Sequence, residues 1–223
     1  MVTEGNRLAD VGTDHGYVPI YLKENGRIPS AIAMDINRGP LERADSHIRE
    51  NGLDSYIQTR LSDGLGALRA GEADTVLIAG MGGLLTVRIL TEGKEALAGV
   101  RELILQPQSE IAGVRRWLAE NGWQIVLEDM VLEDGKFYPM FRAVPGRMEG
   151  YSEDDCEYGR VELQRSPDIM KQFLEKGLQT QRQIAATLPR SEEERIVSRR
   201  REVEEKSAGL KRVLGRLAER KGE

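Results

Sequence analysis

Over residues 7–144 the chain alternates short β-rich apolar runs with segments of helical period, and few folds accommodate that alternation. Apolar runs at 7–11, 31–35, 57–61, 75–79 and 103–106 predict five strands, each separated from the next by enough chain to cross over. Such units build a parallel sheet with helices packed on its faces. Three helix stops, Asn25-Gly26, Asn51-Gly52 and Asn121-Gly122, follow from glycine's access to the left-handed conformation that closes a helix. Beyond the third stop, 123–132 and 137–144 read as two more strands joined through Glu133-Asp134-Gly135-Lys136, which predicts a hairpin.

The chain changes character near residue 150. Residues 151–223 read as helix throughout, so we expect an α/β domain over 1–150 and a helical domain over 151–223. Ser166-Pro167-Asp168 offers a cap, a first-turn proline and an acid near a helix start, and Ser191-Glu192-Glu193-Glu194 fits a capping box. Two helices joined near Pro189 are implied. Ile196, Val203, Leu210 and Leu217 fall seven apart and form a narrow apolar stripe, suited to pairing with Met170, Leu174 and Leu178 in a coiled-coil-like hairpin.

Charge follows the same division. The net charge is −5, yet residues 1–150 hold 16 basic against 22 acidic side chains and residues 151–223 hold 16 against 15. Within 195–221 the count is ten basic against four acidic, including Arg199, Arg200, Arg201, Lys206, Lys211, Arg212, Arg216 and Lys221, most of which must face away from the apolar stripe. That density predicts a phosphate-binding surface. No apolar run approaches the ~20 residues of a membrane span. The first seven residues lack the pattern of a secretory signal, and Cys156 is the only cysteine, so a cytoplasmic location is expected. With two histidines and one cysteine, no metal-ligand spacing is present and no metal is expected. No obligate protein partner is evident.

The first strand enters Asp10-Val11-Gly12-Thr13-Asp14-His15-Gly16-Tyr17. This departs from the dinucleotide fingerprint G-x-G-x-x-G, because the middle glycine is replaced and an acid stands in the loop. A pyrophosphate disfavours fixed negative charge there, whereas the sulfonium and ammonium groups of S-adenosylmethionine are cations. Asp35 ends the second strand, where a carboxylate accepts hydrogen bonds from ribose hydroxyls, with Ile36 beside it. Asp63-Gly64 follows the third strand, within reach of an adenine amine, and Gly80-Met81-Gly82 follows the fourth. The candidate cofactor set is therefore Asp10, Gly12, Asp14, His15, Gly16, Asp35, Ile36, Asp63, Gly64, Gly80, Met81 and Gly82. An α/β sheet ending in a hairpin is also how class I methyltransferases end, with a reversed last strand beside the sixth. The fold class expected is a Rossmann-like α/β methyltransferase sheet followed by a small helical hairpin.

The run LADVGTDHGYVPIYL, with AMDIN, SDGL, IAGMGG, LILQPQ and EDGKFY at matching intervals, resembles the bacterial tRNA (adenine-N1)-methyltransferase family TrmK over nearly the whole chain. The resemblance implies S-adenosylmethionine as methyl donor and tRNA as substrate, with the adenine at position 22 as target. Members usually carry a short helical segment ahead of the first strand, where this sequence has six residues. Ala79-Gly80-Met81 stands where many amino methyltransferases place Asn/Asp-Pro-Pro-aromatic, so no motif assigns a catalytic residue. Adenine N1 is already nucleophilic, and a carboxylate near the base would stabilise the positive charge it gains. Asp14 is the candidate, with His15 and Tyr17 beside it; a loop or cofactor contact is the competing role for Asp14. Tyr17, Phe137 and Tyr138 are candidates to stack the unpaired base, core packing being the stronger reading for Phe137. Gln106 and Gln108 are placed either to read base edges or to cap a strand end, and Arg199, Arg200, Arg201 and Lys211 to hold phosphates. The alternatives are a methyltransferase of another nucleic acid, a protein or a small molecule, and a noncatalytic RNA-binding module on the same scaffold.

Overall fold

The computed structural model describes residues 1–220. Seven strands, β1 (Leu8–Val11), β2 (Ala31–Asp35), β3 (Ile57–Leu61), β4 (Thr75–Met81), β5 (Glu102–Pro107), β6 (Trp123–Glu133) and β7 (Lys136–Pro145), form one sheet in the order β3-β2-β1-β4-β5-β7-β6. The first five are parallel, and β7 runs antiparallel to β5, inserted between β5 and β6. Crossovers carry α1 (Tyr17–Glu24), α2 (Arg38–Glu50), α3 (Gly83–Glu92) and α4 (Ile111–Glu120). Asn25, Asn51 and Asn121 cap α1, α2 and α4, each side-chain amide donating to the carbonyl four residues back, and Gly26, Gly52 and Gly122 turn at positive φ. The hairpin turn has Asp134 at φ 49° and Gly135 at φ 73°, the pair of left-handed residues that a two-residue turn between twisted strands requires.

The chain divides into two compact units. One holds Met1–Val126 and Pro139–Glu149, the other Leu127–Tyr138 and Gly150–Glu223. The outer half of the hairpin thus groups with the helices, whereas a boundary at residue 150 puts it with the sheet. In the first unit β1 and the interiors of β4 and β5 are buried on both faces while the edge strand β3 is partly exposed, and Leu8, Ala31, Ala33, Leu77 and Ile104 meet Ile20, Ala44 and Ile48 of the crossover helices. Each leucine or isoleucine side chain so removed from water contributes about 1.5–3 kcal/mol.

In the second unit, α5 (Glu153–Tyr158), α6 (Pro167–Thr187) and α7 (Glu194–Arg220) pack around Val161, Met170, Leu174, Leu210, Val213 and Leu217. The seven-residue stripe is buried at Val203, Leu210 and Leu217 and half-buried at Ile196. Two expected caps differ. Pro167 opens α6, but the Ser166 hydroxyl donates to Asp129 Oδ1 at 2.7 Å instead of capping. α7 starts at Glu194, and Ser191 Oγ accepts from Glu193 N at 3.2 Å, so the Ser191 segment is a turn before the helix and not a capping box. The capping box is at Ser152 and Asp155, opening α5, a helix too short to announce itself by periodicity. Among the described residues no helix is long and apolar enough to cross a membrane.

Candidate active site

Strand register brings the candidate residues into one row. Val11 pairs with Met34 on one side and Ile78 on the other, Asp35 with Leu61, and Ala79 with Gln106. Gly12, Asp35, Leu61, Ala79 and Gln106 therefore stand level across five neighbouring strands at their carboxyl ends. β1 is also where the order reverses, since β2 and β3 lie to one side and β4 and β5 to the other. Open α/β sheets bind ligands in the crevice outside the strand ends at such a switch point.

The β1–α1 loop has two anchors. Gly12 N and Thr13 N both donate to Met34 O at 2.8 Å, which ties the first half to β2. The second half is held from α2: Arg43 Nη2 donates to Asp14 Oδ1 at 3.1 Å, and His47 Nδ1 lies 3.1 Å from His15 O. Gly12 turns at φ 76°, and a Cβ there would lie 2.0 Å from Met81 Cε, so glycine lets the chain turn there with Met81 packed over it. His15 takes φ 59°, uncommon for a residue with a Cβ though less so for histidine, asparagine and aspartate, followed by Gly16 at 69°. These two residues reverse the chain into α1. The rings of His15 and Tyr17 lie 5.1 Å apart and 6° from parallel, and His47 stacks on both at 5.2 and 5.6 Å. Tyr17 is 63% exposed.

Beneath the loop, Asp10 is buried. Desolvation pushes its carboxyl up to about 6; the Thr13 hydroxyl pulls the other way, close enough to act without meeting hydrogen-bond geometry. Across the row, Gly80 N donates to Gln106 Oε1 at 2.8 Å and Gln108 N to Met81 O at 2.8 Å. Gly83 abuts this segment, since a Cβ there would lie 2.3 Å from Ser109 O. The β4 and β5 loops are thus stitched together, and Gln106 acts through its carbonyl oxygen as a strand-end cap.

The donor set fits S-adenosylmethionine. Asp35 Oδ1 accepts from Asn37 N at 2.7 Å, while its other carboxylate oxygen has no partner among the described residues. Ile36 is exposed beside it, an apolar surface for a nucleoside. Asp63 Oδ1 accepts from Arg88 Nη2 at 3.1 Å, and Gly64 turns at φ 54° against Ile89. Three buried polar atoms at the β1 and β5 ends, Thr13 Oγ1, His15 Nδ1 and Gln106 Nε2, have no hydrogen-bond partner among the described residues. Each such orphan costs about 1–3 kcal/mol, and a polar ligand would satisfy them. Among the described residues no group of three His, Cys, Asp or Glu side chains is arranged to hold a metal ion.

Residues 8–212 match the family model described as tRNA (adenine(22)-N(1))-methyltransferase, TrmK. The chain belongs to this family. It is 40% identical over 145 residues to the tRNA (adenine(22)-N(1))-methyltransferase of Bacillus subtilis, an alignment spanning 65% of this chain and 61% of that protein. Among solved structures, a Streptococcus pneumoniae protein described as a tRNA (m1A22) methyltransferase, in complex with S-adenosyl-L-methionine, superposes with TM-score 0.83 at 36% identity, covering 96% of this chain and 94% of that one. The B. subtilis m1A22 tRNA methyltransferase TrmK superposes with TM-score 0.85 at 31% identity, covering 96% and 94%.

Other candidates of this TrmK-family chain lie in the helical unit. Phe137 meets Phe173 edge-on at 5.4 Å with Lys176 Nζ over its ring, so it is a packing residue, and half-buried Tyr138 belongs to the same unit. On α7, Arg212 pairs with Asp154 and Arg216 with Asp155, both from α5; the Arg212 side chain stays exposed and that of Arg216 is half-buried, so each cation already has a carboxylate partner. Arg199 pairs with Glu202, and Arg200 Nη2 donates to Pro189 O. Arg201, Lys206 and Lys211 are exposed, and Lys221 lies outside the described residues. Sequence reasoning missed Arg43 and His47. Their spacing of four, with Ala44 buried against Gly16, was the available signal that one face of α2 meets the loop.

Proposed function

We propose that this chain transfers the methyl group of S-adenosylmethionine to N1 of an adenine in tRNA, at position 22. The observation that carries the reading is the acidic, glycine-turned row of strand ends, in a chain whose family and S-adenosyl-L-methionine-bound relative share the fold. The bound cofactor supplies an electrophilic methyl on a sulfonium. Asp35 receives the ribose hydroxyls on its open oxygen and Asp63 the adenine amine, with Ile36 against the base. Gly12, Gly64, Gly80 and Gly82 let backbone approach closely, Gly16 turns the loop into α1, and Asp10, Thr13 and Met81 line the floor.

Adenine N1 carries an in-plane lone pair, so the protein's task is to unstack the base, desolvate it and align it, an alignment worth roughly 7 to 11 kcal/mol. Asp14, 68% exposed on its side chain and fixed by Arg43, faces the charge that grows on the base. Tyr17 offers a ring for the base to stack on, and His15 supports that ring. Tyr138 and Gln108 are further contacts of the same substrate, and Gln106 contributes its unpartnered Nε2. The exposed cations Arg199, Arg201, Lys206 and Lys211 hold tRNA phosphates, with half-buried Arg200 beside them. The lone buried Cys156 suits a reducing cytoplasm.

S-adenosylhomocysteine at 100 times its dissociation constant should stabilise the chain by about 2.7 kcal/mol in a thermal shift. Asp14→Asn should lower kcat far more than it weakens that binding. Equal losses would make Asp14 a cofactor contact only.

A further inference from the structure

We infer that His47 is a positioning residue for methyl transfer, holding the substrate half of the β1–α1 loop while leaving the cofactor half untouched. The inference rests on the adenine-methylation reading. A carbonyl oxygen only accepts, so at 3.1 Å from His15 O the His47 Nδ1 is the donor and carries the proton. The residue it grips is the non-glycine of the loop at φ 59°. That conformation costs a residue with a Cβ about 1–2 kcal/mol, and His47 braces it twice, by the hydrogen bond and by stacking on both His15 and Tyr17.

The division of the loop makes the role specific. Gly12 and Thr13 are tied to Met34 O and do not depend on α2. His15 and Tyr17, which would meet the base, depend on it. Removing the His47 side chain therefore releases His15 into ordinary backbone space and lets Tyr17 drift, without loosening the turn under the cofactor. His47 is itself half-buried, and its ring meets only the loop's two aromatics among the described ring contacts.

The test uses the full chain, a tRNA transcript and three variants. His47→Ala removes ring and donor, His47→Phe keeps a ring without the donor, and His47→Asn returns an amide donor close to the Nδ1 position. We expect His47→Ala and His47→Phe to lose tenfold or more in kcat while S-adenosylhomocysteine and tRNA dissociation constants stay within about twofold, and His47→Asn to recover most of the loss. Full kcat in His47→Ala overturns the inference. So does a loss of cofactor affinity parallel to the loss of kcat, or equal impairment of His47→Phe and His47→Asn. A parent chain that binds tRNA and cofactor but methylates nothing overturns the functional reading instead, which keeps the two failures distinct.

Discussion

Gly12→Ala tests the cofactor turn through two separable costs. The first is conformational: a Cβ at φ 76° costs about 1–2 kcal/mol, which for a chain of this length is a fall in Tm of about 2–8 °C. The second is steric. The new methyl would sit 2.0 Å from Met81 Cε, well inside contact distance. Because Cε is the end of a flexible thioether, the clash is relieved by swinging Met81 away, so the damage appears in ligand binding more than in folding. Calorimetry with S-adenosylhomocysteine should show at least a tenfold loss, or about 1.4 kcal/mol. Adding Met81→Ala should restore most of that affinity relative to Met81→Ala alone, yet leave the Tm depressed, since it frees space but not φ. Parent-like binding by Gly12→Ala, or a double variant no better than the single, would refute the argument.

Three further outcomes follow from the same geometry. Asp35→Ala should weaken S-adenosylmethionine binding by about 1.5 to 3 kcal/mol with the fold intact, and unchanged affinity by calorimetry would remove Asp35 from the ribose. Burial raises the Asp10 carboxyl to about 6, so the free protein gains stability as pH falls through that value and loses it as pH rises, by up to ~3 kcal/mol for about two units; Asp10→Asn should flatten that part of the Tm–pH curve, and a profile unchanged by the substitution would contradict it. Arg201→Glu with Lys206→Glu and Lys211→Glu should weaken tRNA binding and make its salt dependence shallower, whereas Arg212→Glu should act mainly on stability, through Asp154; equal salt slopes in parent and triple variant would assign the phosphates elsewhere.

What was legible in the sequence follows the physics of each element. Strand positions and the three Asn-Gly stops were readable because buried parallel strands and left-handed caps each demand particular residue types locally. The row of Gly12, Asp35, Ala79 and Gln106 followed from strand ends alone, since parallel register places them level. Long-range partners were not readable. Nothing local shows that Arg212 and Arg216 pair with Asp154 and Asp155, which ties two cations of the basic run to α5. Ser166 was chosen as a cap by type, yet its hydroxyl finds Asp129 on a distant strand, a stronger charged acceptor. The role of His47 was not readable either, because it exists only once α2 is laid against the β1–α1 loop. The grouping of Leu127–Tyr138 with the helices is likewise a property of packing and not of composition.

The most direct measurement is nucleoside mass analysis of tRNA incubated with the purified chain and S-adenosylmethionine, using transcripts with adenine or guanine at position 22. The account predicts N1-methyladenosine in the first transcript, mapped by fragment masses to position 22, and none at that site in the second. Methylation of a different atom or position, or no methylation by a chain that binds both S-adenosylhomocysteine and tRNA, would contradict it.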